Sequence, residues 1–385
     1  MDLSDEQNKA MKAVLSWINN KKEKEQIFIF GGIAGSGKTT CINYIKNELN
    51  MRTIEMVYTG MASLVLKQNG NPNAKTIHST IYNTRKGADG KPIHMIKKKE
   101  EMEDIDMFIV DECSMINESM FNDILSFKKK VLFVGDHKQL PPIKGNGILT
   151  HPDVELNECH RVALENPLTW LSQEIRMGRF ALKNQVIGNE IVIINQENLE
   201  LARKVDQIIT TTHKNRIRFN AMYRKYLGFD DMPRVDDRVV CKKNDWSNLS
   251  FSGLLKTDVA LVNGMSGTIE KIERNGHQDF WDTYNKHHSI AISNIDFKPN
   301  LDINTYKGIE SDYASLLHDR KQSYKFDTRD MNFFEYAYAL SLYSCQGSQY
   351  GSVYYHHKPF GAVEVRASML YTGVTRAKNK LVLQY

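Results

Sequence analysis

Apolar residues fall into short blocks with two periods. Ala10, Met11, Val14, Leu15 and Ile18 recur at helical spacing behind Ser4 and Gln7, which stand three apart as in a capping box. The spacing predicts a helix that ends in the polar stretch 19–25. Three runs are apolar without alternation: Ile27-Phe28-Ile29-Phe30, Met107-Phe108-Ile109-Val110 and Val131-Leu132-Phe133-Val134. Such runs predict parallel strands buried on both faces. The first leads into a glycine-rich turn, the second into Asp111-Glu112 and the third into Gly135-Asp136. Strands that end in functional groups and alternate with helical stretches predict an α/β fold, with ligands at the carboxyl ends of the strands.

The texture changes twice. Tyr82 to Lys91 carries an Asp89-Gly90 turn between two short flanks, which predicts a hairpin inserted at about 80–103. A second α/β pattern starts after Arg161, with a strand at 207–212 and a helix at 213–227. From 238 to 274, β-branched segments broken by Asn263-Gly264 and Gly267 predict a small antiparallel sheet or barrel. Residues 275–330 are polar and show no period. Helix-and-strand texture then returns at 337–342, 366–378 and 381–383. The expected division is a first core over 1–165, a second core over 166–235 and 331–385, and an insertion over 236–330. No internal repeat or low-complexity tract is present.

Composition narrows the class more than the function. In 385 residues, 41% are hydrophobic and 25% charged, enough apolar material for folded cores, so global disorder is excluded. No apolar run approaches the roughly 18 residues of a membrane span. The acidic start Met1-Asp2-Leu3-Ser4-Asp5-Glu6 does not fit a secretory signal. Lys and Arg exceed Asp and Glu by 51 − 46 = +5, compatible with nucleic acid but too weak to argue for it. Cys41, Cys113, Cys159, Cys241 and Cys345 are scattered and form no CxxC pair, so neither zinc nor a disulfide framework is expected. A reducing cytoplasm is the expected setting.

The chemistry sits at the strand ends. Gly32-Ile33-Ala34-Gly35-Ser36-Gly37-Lys38-Thr39 fits the phosphate-loop pattern between a strand and a helix. Glycines let backbone N–H groups close on a polyphosphate, and the helix N-terminus adds a positive dipole. Gly35, Ser36, Gly37 and Thr40 line this cradle, Lys38 reaches the terminal phosphates and Thr39 offers a hydroxyl to Mg²⁺. Asp111 is the second Mg²⁺ candidate, and Glu112 the group that orients and deprotonates an attacking water. Read alone, the acids also suit solvated strand caps. Gln139, in Gly135-Asp136-His137-Lys138-Gln139-Leu140-Pro141-Pro142, suits a γ-phosphate sensor or a plain polar turn. Arg161 and Arg376 suit neutralisation of a transferring phosphoryl group or ordinary ion pairs.

Taken in order, these segments resemble a superfamily 1 helicase, and within it the RecD-like and Dda-like group, superfamily 1B, in a phage-type form. Gln7 resembles the adenine-reading Q motif, 32–39 motif I, Asp111-Glu112 motif II and 135–142 motif III. Leu156 to Arg161 resembles motif IV, 343–349 motif V and 370–378 motif VI. Thr59-Gly60-Met61-Ala62 resembles motif Ia, followed by Thr76-Ile77-His78-Ser79. Asp237 to Val240, with Gly264 and Gly267, resembles the group's SH3-like insertion. Ser344, Cys345 and Gln349 stand where the group carries Lys, Ser and Glu, and Met61 where Lys or Arg is frequent. Gln346 and Gly347 keep the pattern. The short lead before Gln7 fits a minimal motor.

The resemblance implies two RecA-like cores that sandwich ATP and Mg²⁺, with single-stranded DNA crossing both and duplex or fork DNA ahead. Thr59, Gly60, Thr76, His78 and Gln346 become nucleic-acid candidates, and Gly347 joins the nucleotide set. It also implies 5′-to-3′ movement, a monomer, and replication or recombination proteins as partners. His78 also suits a structural role, Lys97 to Lys99 a solvated face beside Glu100, Glu101, Glu103 and Asp104, and Trp246 and Phe251 the core. Tyr82 and the hairpin suit a strand-splitting pin. Three functions compete: a helicase, a single-strand translocase that displaces proteins, and a nucleotide-gated binding switch. Glu112 and the two arginines weigh against the switch.

Overall fold

The computed structural model describes residues 3–20, 25–49, 51–86, 92–142, 147, 151–158, 166–230, 232–281, 287–312 and 331–385. Arg161, the hairpin tip at 87–91 and residues 313–330 lie outside them. Helix α1 (Asp5–Asn19) opens with the capping box: Gln7 N–H donates to Ser4 Oγ and Ser4 N–H to Gln7 Oε1, at 3.2 and 3.0 Å. Its Ala10, Val14, Trp17 and Ile18 are buried.

The first sheet follows. In chain order come β1 (Ile27–Gly32), α2 (Lys38–Glu48), β2 (Thr53–Val57), α3 (Gly60–Gln68), β3 (Lys75–Thr76) and α4 (Ile77–Ile81). The hairpin β4 (Tyr82–Lys86) and β5 (Pro92–Ile96) comes next, then β6 (Met107–Val110), α5 (Glu118–Leu125), β7 (Lys130–Gly135) and β8 (Val154–Leu156). The order is β3-β2-β6-β7-β1-β8, every pair parallel. Apolar clusters cover both faces: Ala10, Val14, Ile42 and Ile45 lie on one side, Ile77, Ile81, Met120 and Ile124 on the other. That two-sided burial is why β6 and β7 read as unbroken apolar runs. Strand β1 sits between β7 and β8, so its carboxyl end opens where chain connections diverge, the usual ligand position in such sheets.

The second sheet uses α6 (Pro167–Arg176), β9 (Gln185–Ile187), β10 (Ile191–Ile194), α7 (Leu199–Arg203), β11 (Gln207–Thr210) and α8 (His213–Tyr226). Between its halves run β12 (Arg238–Cys241), β13 (Asp245–Ser252), β14 (Thr257–Leu261), β15 (Ser266–Trp281), β16 (His287–Pro299), β17 (Tyr306–Asp312) and β18 (Phe334–Tyr336). The sheet then resumes with β19 (Ala339–Ser341), β20 (Tyr350–His356), helix α9 (Val363–Val374) and β21 (Ala377–Gln384). Its order is β19-β11-β20-β21-β10-β9, parallel except at β9.

The interposed strands make an antiparallel sheet β17-β16-β15-β12-β18 and a separate hairpin β13-β14. Part of the stretch read as irregular is therefore strand: β15 pairs with β16 out to Trp281. Bulges at Ile269/Lys271 and Arg274/His277 break the two-residue period that would have announced it. Phe334–Tyr336 pairs with β12 and so belongs to this sheet. Gly267 is required there, because a Cβ would come within 2.7 Å of the Phe297 ring and the Pro299 backbone. Trp246 and Phe251 are not core: they are 60% and 47% exposed, on a hairpin that also exposes Leu249 and Leu254. Leu64 of α3 enters the apolar cluster of this unit beside Val262 and Met265, so the interposed sheet is seated on the first core.

Candidate nucleotide site and the seam between the cores

The phosphate loop takes its shape from two glycines. Gly35 and Gly37 both have φ of +83°, a region costly for residues with a Cβ. A Cβ on Gly37 would also collide with the Gln7 amide nitrogen. Helix α2 starts at Lys38 with no side-chain cap, so Thr39 and Thr40 lie in its first turn and its leading N–H groups face the loop. Lys38 Nζ donates to the carbonyls of Gly32 and Ile33 at 2.8 and 2.9 Å, and buried Ser36 donates to Ile33 O. Gln7 does two things at once. Its oxygen completes the capping box, and its nitrogen donates to Ser36 O at 3.0 Å.

Behind the loop the acids are crowded. Asp111, at the end of β6, is buried and accepts the Glu112 N–H at 2.8 Å. Burial, then the charges of Glu112 and Glu55, push its carboxyl up to about 7, and Lys38 offsets part of that field. Glu112 has φ of +51°, a strained conformation for a residue with a Cβ. Glu55 was not singled out from sequence. It is a buried carboxylate inside β2, held by Lys46 at 3.0 Å and by Asn71. Asp111 with Glu112 next to it offers carboxylate oxygens of the kind a hard divalent cation such as Mg²⁺ takes, while Glu55 is occupied by Lys46 and Asn71.

The two cores meet at the end of β7. Leu140 N–H donates to Thr372 Oγ1 at 3.0 Å, and the Gln346 amide donates to Leu140 O at 3.3 Å. Tyr371 hydroxyl donates to Asp136 Oδ2 at 2.6 Å and accepts from Ala34 N–H of the phosphate loop at 3.5 Å. Arg176, at the end of α6, reaches Asp136 at 3.4 Å and Glu155 at 2.5 Å. Tyr371 falls within the 370–378 segment that resembles motif VI but was not itself a candidate from sequence, and nothing in the local spacing marks Arg176. Gln139 is buried here, with Oε1 lacking a hydrogen-bond partner in the described structure. Beside it lies a cavity of about 120 Å³ bordered by Ser114, His137, Pro141, Glu364 and Ser368.

Two expected residues make other contacts in this structure. Arg376 is held within the second core. Its guanidinium is 4% exposed and donates to the carbonyls of Thr372, Ser348 and Cys345 at 3.0, 3.1 and 3.4 Å, and to Thr375 Oγ1. A fork of five N–H donors is well served by such a carbonyl cage, which keeps it inside the second core. Gly347, grouped with the nucleotide residues, lies instead against α3: a Cβ there would sit 3.5 Å from Ala62 Cβ.

The nucleic-acid candidates form two groups. Thr59 caps α3 through Ala62 N–H, Gly60 packs on Val262, and Gly347 closes over the same turn. Gln346 adjoins this group in sequence but turns its amide to the seam. Thr76 caps α4 through Ser79 N–H, and His78 lies among Tyr58, Tyr82 and His94 at the foot of the hairpin. Burial lowers the His78 pKa. Tyr82 anchors the hairpin to Asp123 at 2.5 Å.

Residues 2–192 match the family described as an AAA domain, and 336–384 the UvrD-like helicase C-terminal domain. The chain is 25% identical to the ATP-dependent DNA helicase dda of Enterobacteria phage T4 over 49% of this chain and 46% of that one. It is 22% identical to the ATP-dependent RecD2 DNA helicase of Deinococcus radiodurans over 92% of this chain and 46% of that one. It thus spans less than half the length of these curated relatives. Bacteroides Pif1 bound to ssDNA has the same fold, with a TM-score of 0.57, 16% identity and coverage of 100% of this chain and 92% of that one. Among the described residues, no helix is long and apolar enough to cross a membrane. With both domain models matched in order around one seam, the chain is similar to the superfamily 1B helicases of the RecD-like and Dda-like group.

Proposed function

We propose that this protein is an ATP-driven DNA helicase, acting as a monomer and moving 5′-to-3′ on single strands. One observation carries the reading. The end of β7, which flanks the phosphate loop, is hydrogen-bonded to helix α9 of the second core through Leu140–Thr372 and Asp136–Tyr371. A nucleotide that alters the loop therefore acts on both cores.

In this reading Gln7 contacts adenine, and Gly35 to Thr40 enclose the phosphates. Thr39 and Asp111 hold Mg²⁺, which when bound neutralises phosphate charge. Glu112 takes a proton from the attacking water, while Lys38 and Gln139 read the terminal phosphate. Arg161 and Arg376 neutralise the phosphoryl charge, and Arg376 does so after leaving its carbonyl cage. Thr59, Gly60, Thr76, His78 and Gln346 hold the strand, mostly through its phosphates. The sheet at 238–336 is the group's SH3-like unit. Hairpin β4-β5, which exposes Ile93 and Met95, is the strand-splitting pin.

Partial duplexes with a single 5′ or a single 3′ tail test this with ATP and Mg²⁺. Unwinding of the 5′-tailed substrate is expected; unwinding of the 3′-tailed substrate alone reverses the polarity. ATP hydrolysis on single strands with neither substrate opened leaves a translocase. Replacing Ile93 and Met95 with serine is expected to cut unwinding while single-strand ATPase continues; unchanged unwinding removes the pin.

A further inference from the structure

We infer that Tyr371 and Arg176 are positioning residues that carry the state of the phosphate loop into the second core through Asp136. The inference rests on the nucleotide reading above and assigns the coupling to side chains that reading does not use.

The geometry has three parts. First, Asp136 directly follows Gly135, which pairs in register with Gly31 at the entry to the phosphate loop. Its carboxylate is buried and fully engaged: Oδ2 accepts from Tyr371, and Oδ1 accepts from Arg176 and from Lys138 N–H at 3.1 Å. Two of these three donors come from the second core. Separating the cores would strand a buried charge, so the carboxylate resists opening. Second, Tyr371 hydroxyl takes the Ala34 N–H at 3.5 Å, a long bond. A phosphate oxygen is a stronger acceptor for that N–H. A nucleotide that claims it leaves the phenol tied to Asp136 alone, and α9 registers the change. Third, the junction is incompletely satisfied. Among the described residues, Arg176 Nε is buried without a hydrogen-bond partner, and so is Gln139 Oε1 three residues from Asp136. A partly satisfied buried network of this kind carries hydrogen-bonding capacity that this arrangement does not use. Arg376, on the turn after α9, is held by its own core and is not placed to do this work.

The test uses the full chain and the variants Tyr371→Phe, Arg176→Gln and Arg176→Lys. Three quantities are compared with wild type: affinity for a fluorescent ATP analogue, kcat for ATP on saturating oligo(dT), and base pairs opened per ATP. Tyr371→Phe and Arg176→Gln should each lower base pairs per ATP at least about threefold, with analogue affinity shifted less than about twofold. Arg176→Lys, which keeps the charge, should recover part of the loss. Wild-type stoichiometry in Tyr371→Phe, or a loss matched by weaker analogue binding, overturns the inference. If Tyr371→Phe melts far below wild type, the two Arg176 variants decide on the same criteria. A wild-type protein without single-strand ATPase sinks the motor reading and this inference with it. A normal wild type beside a normal Tyr371→Phe sinks the inference alone.

Discussion

At the scale of single residues, Gly37 shows how closely the loop and α1 are fitted. Its φ of +83° and the Gln7 amide lying where a Cβ would go both forbid a side chain. Gly37→Ala should lower stability by about 1 kcal/mol from backbone strain alone. It should also weaken ATP binding by displacing Gln7; unchanged nucleotide affinity would show that Gln7 is dispensable. His357 gives a pH prediction. Burial first, then His356 and Lys358, lower its pKa to about 4, against roughly 6.5 in an unfolded chain. Between those values the unfolded state binds more protons, so stability rises with pH over that window and is lost on acidification through it. Denaturant midpoints at pH 7 and pH 5 should differ in wild type and less in His357→Gln, by up to about 1.4 kcal/mol per pH unit. Equal slopes would remove His357 as the cause.

At the scale of elements, legibility tracked burial symmetry. Strands β1, β6 and β7 are apolar on both faces and were plain in the sequence, as was the Ser4–Gln7 cap, because each signal is local. The first half of β15 fell within the stretch read as antiparallel sheet, but its second half and β16 were hidden by bulges. Trp246 and Phe251 misled because aromatic identity does not say which face of a hairpin is covered. Glu55 and Arg176 had no local signal at all, and Tyr371 none beyond its place in the 370–378 segment, since their partners lie in other elements or in the other core. Gly373 is the element-scale test. A Cβ there would come within 2.1 Å of the edge of the Tyr355 ring, so α9 approaches β20 too closely for alanine. Gly373→Ala should cost about 1–3 kcal/mol by lifting α9 from the sheet. It should also impair ATP turnover, because Tyr371 and Thr372 move with the helix. Wild-type melting would show that the sheet yields instead.

At the scale of the whole molecule, the two sheets and the interposed unit touch at functional segments. Leu64 and Gly60 of α3 lie against the interposed sheet, Ala62 against Gly347, and the end of β7 against α9. These contacts join the nucleotide candidates to the proposed strand-binding ones. On the proposed function, hydrolysis at the phosphate loop drives movement between the cores. ATP turnover with and without single-stranded DNA, in wild type and Lys38→Ala, decides this. Strong stimulation by DNA is expected in wild type, and in Lys38→Ala no turnover under either condition while DNA binding persists. Turnover retained by Lys38→Ala, or wild-type turnover indifferent to DNA, would contradict it.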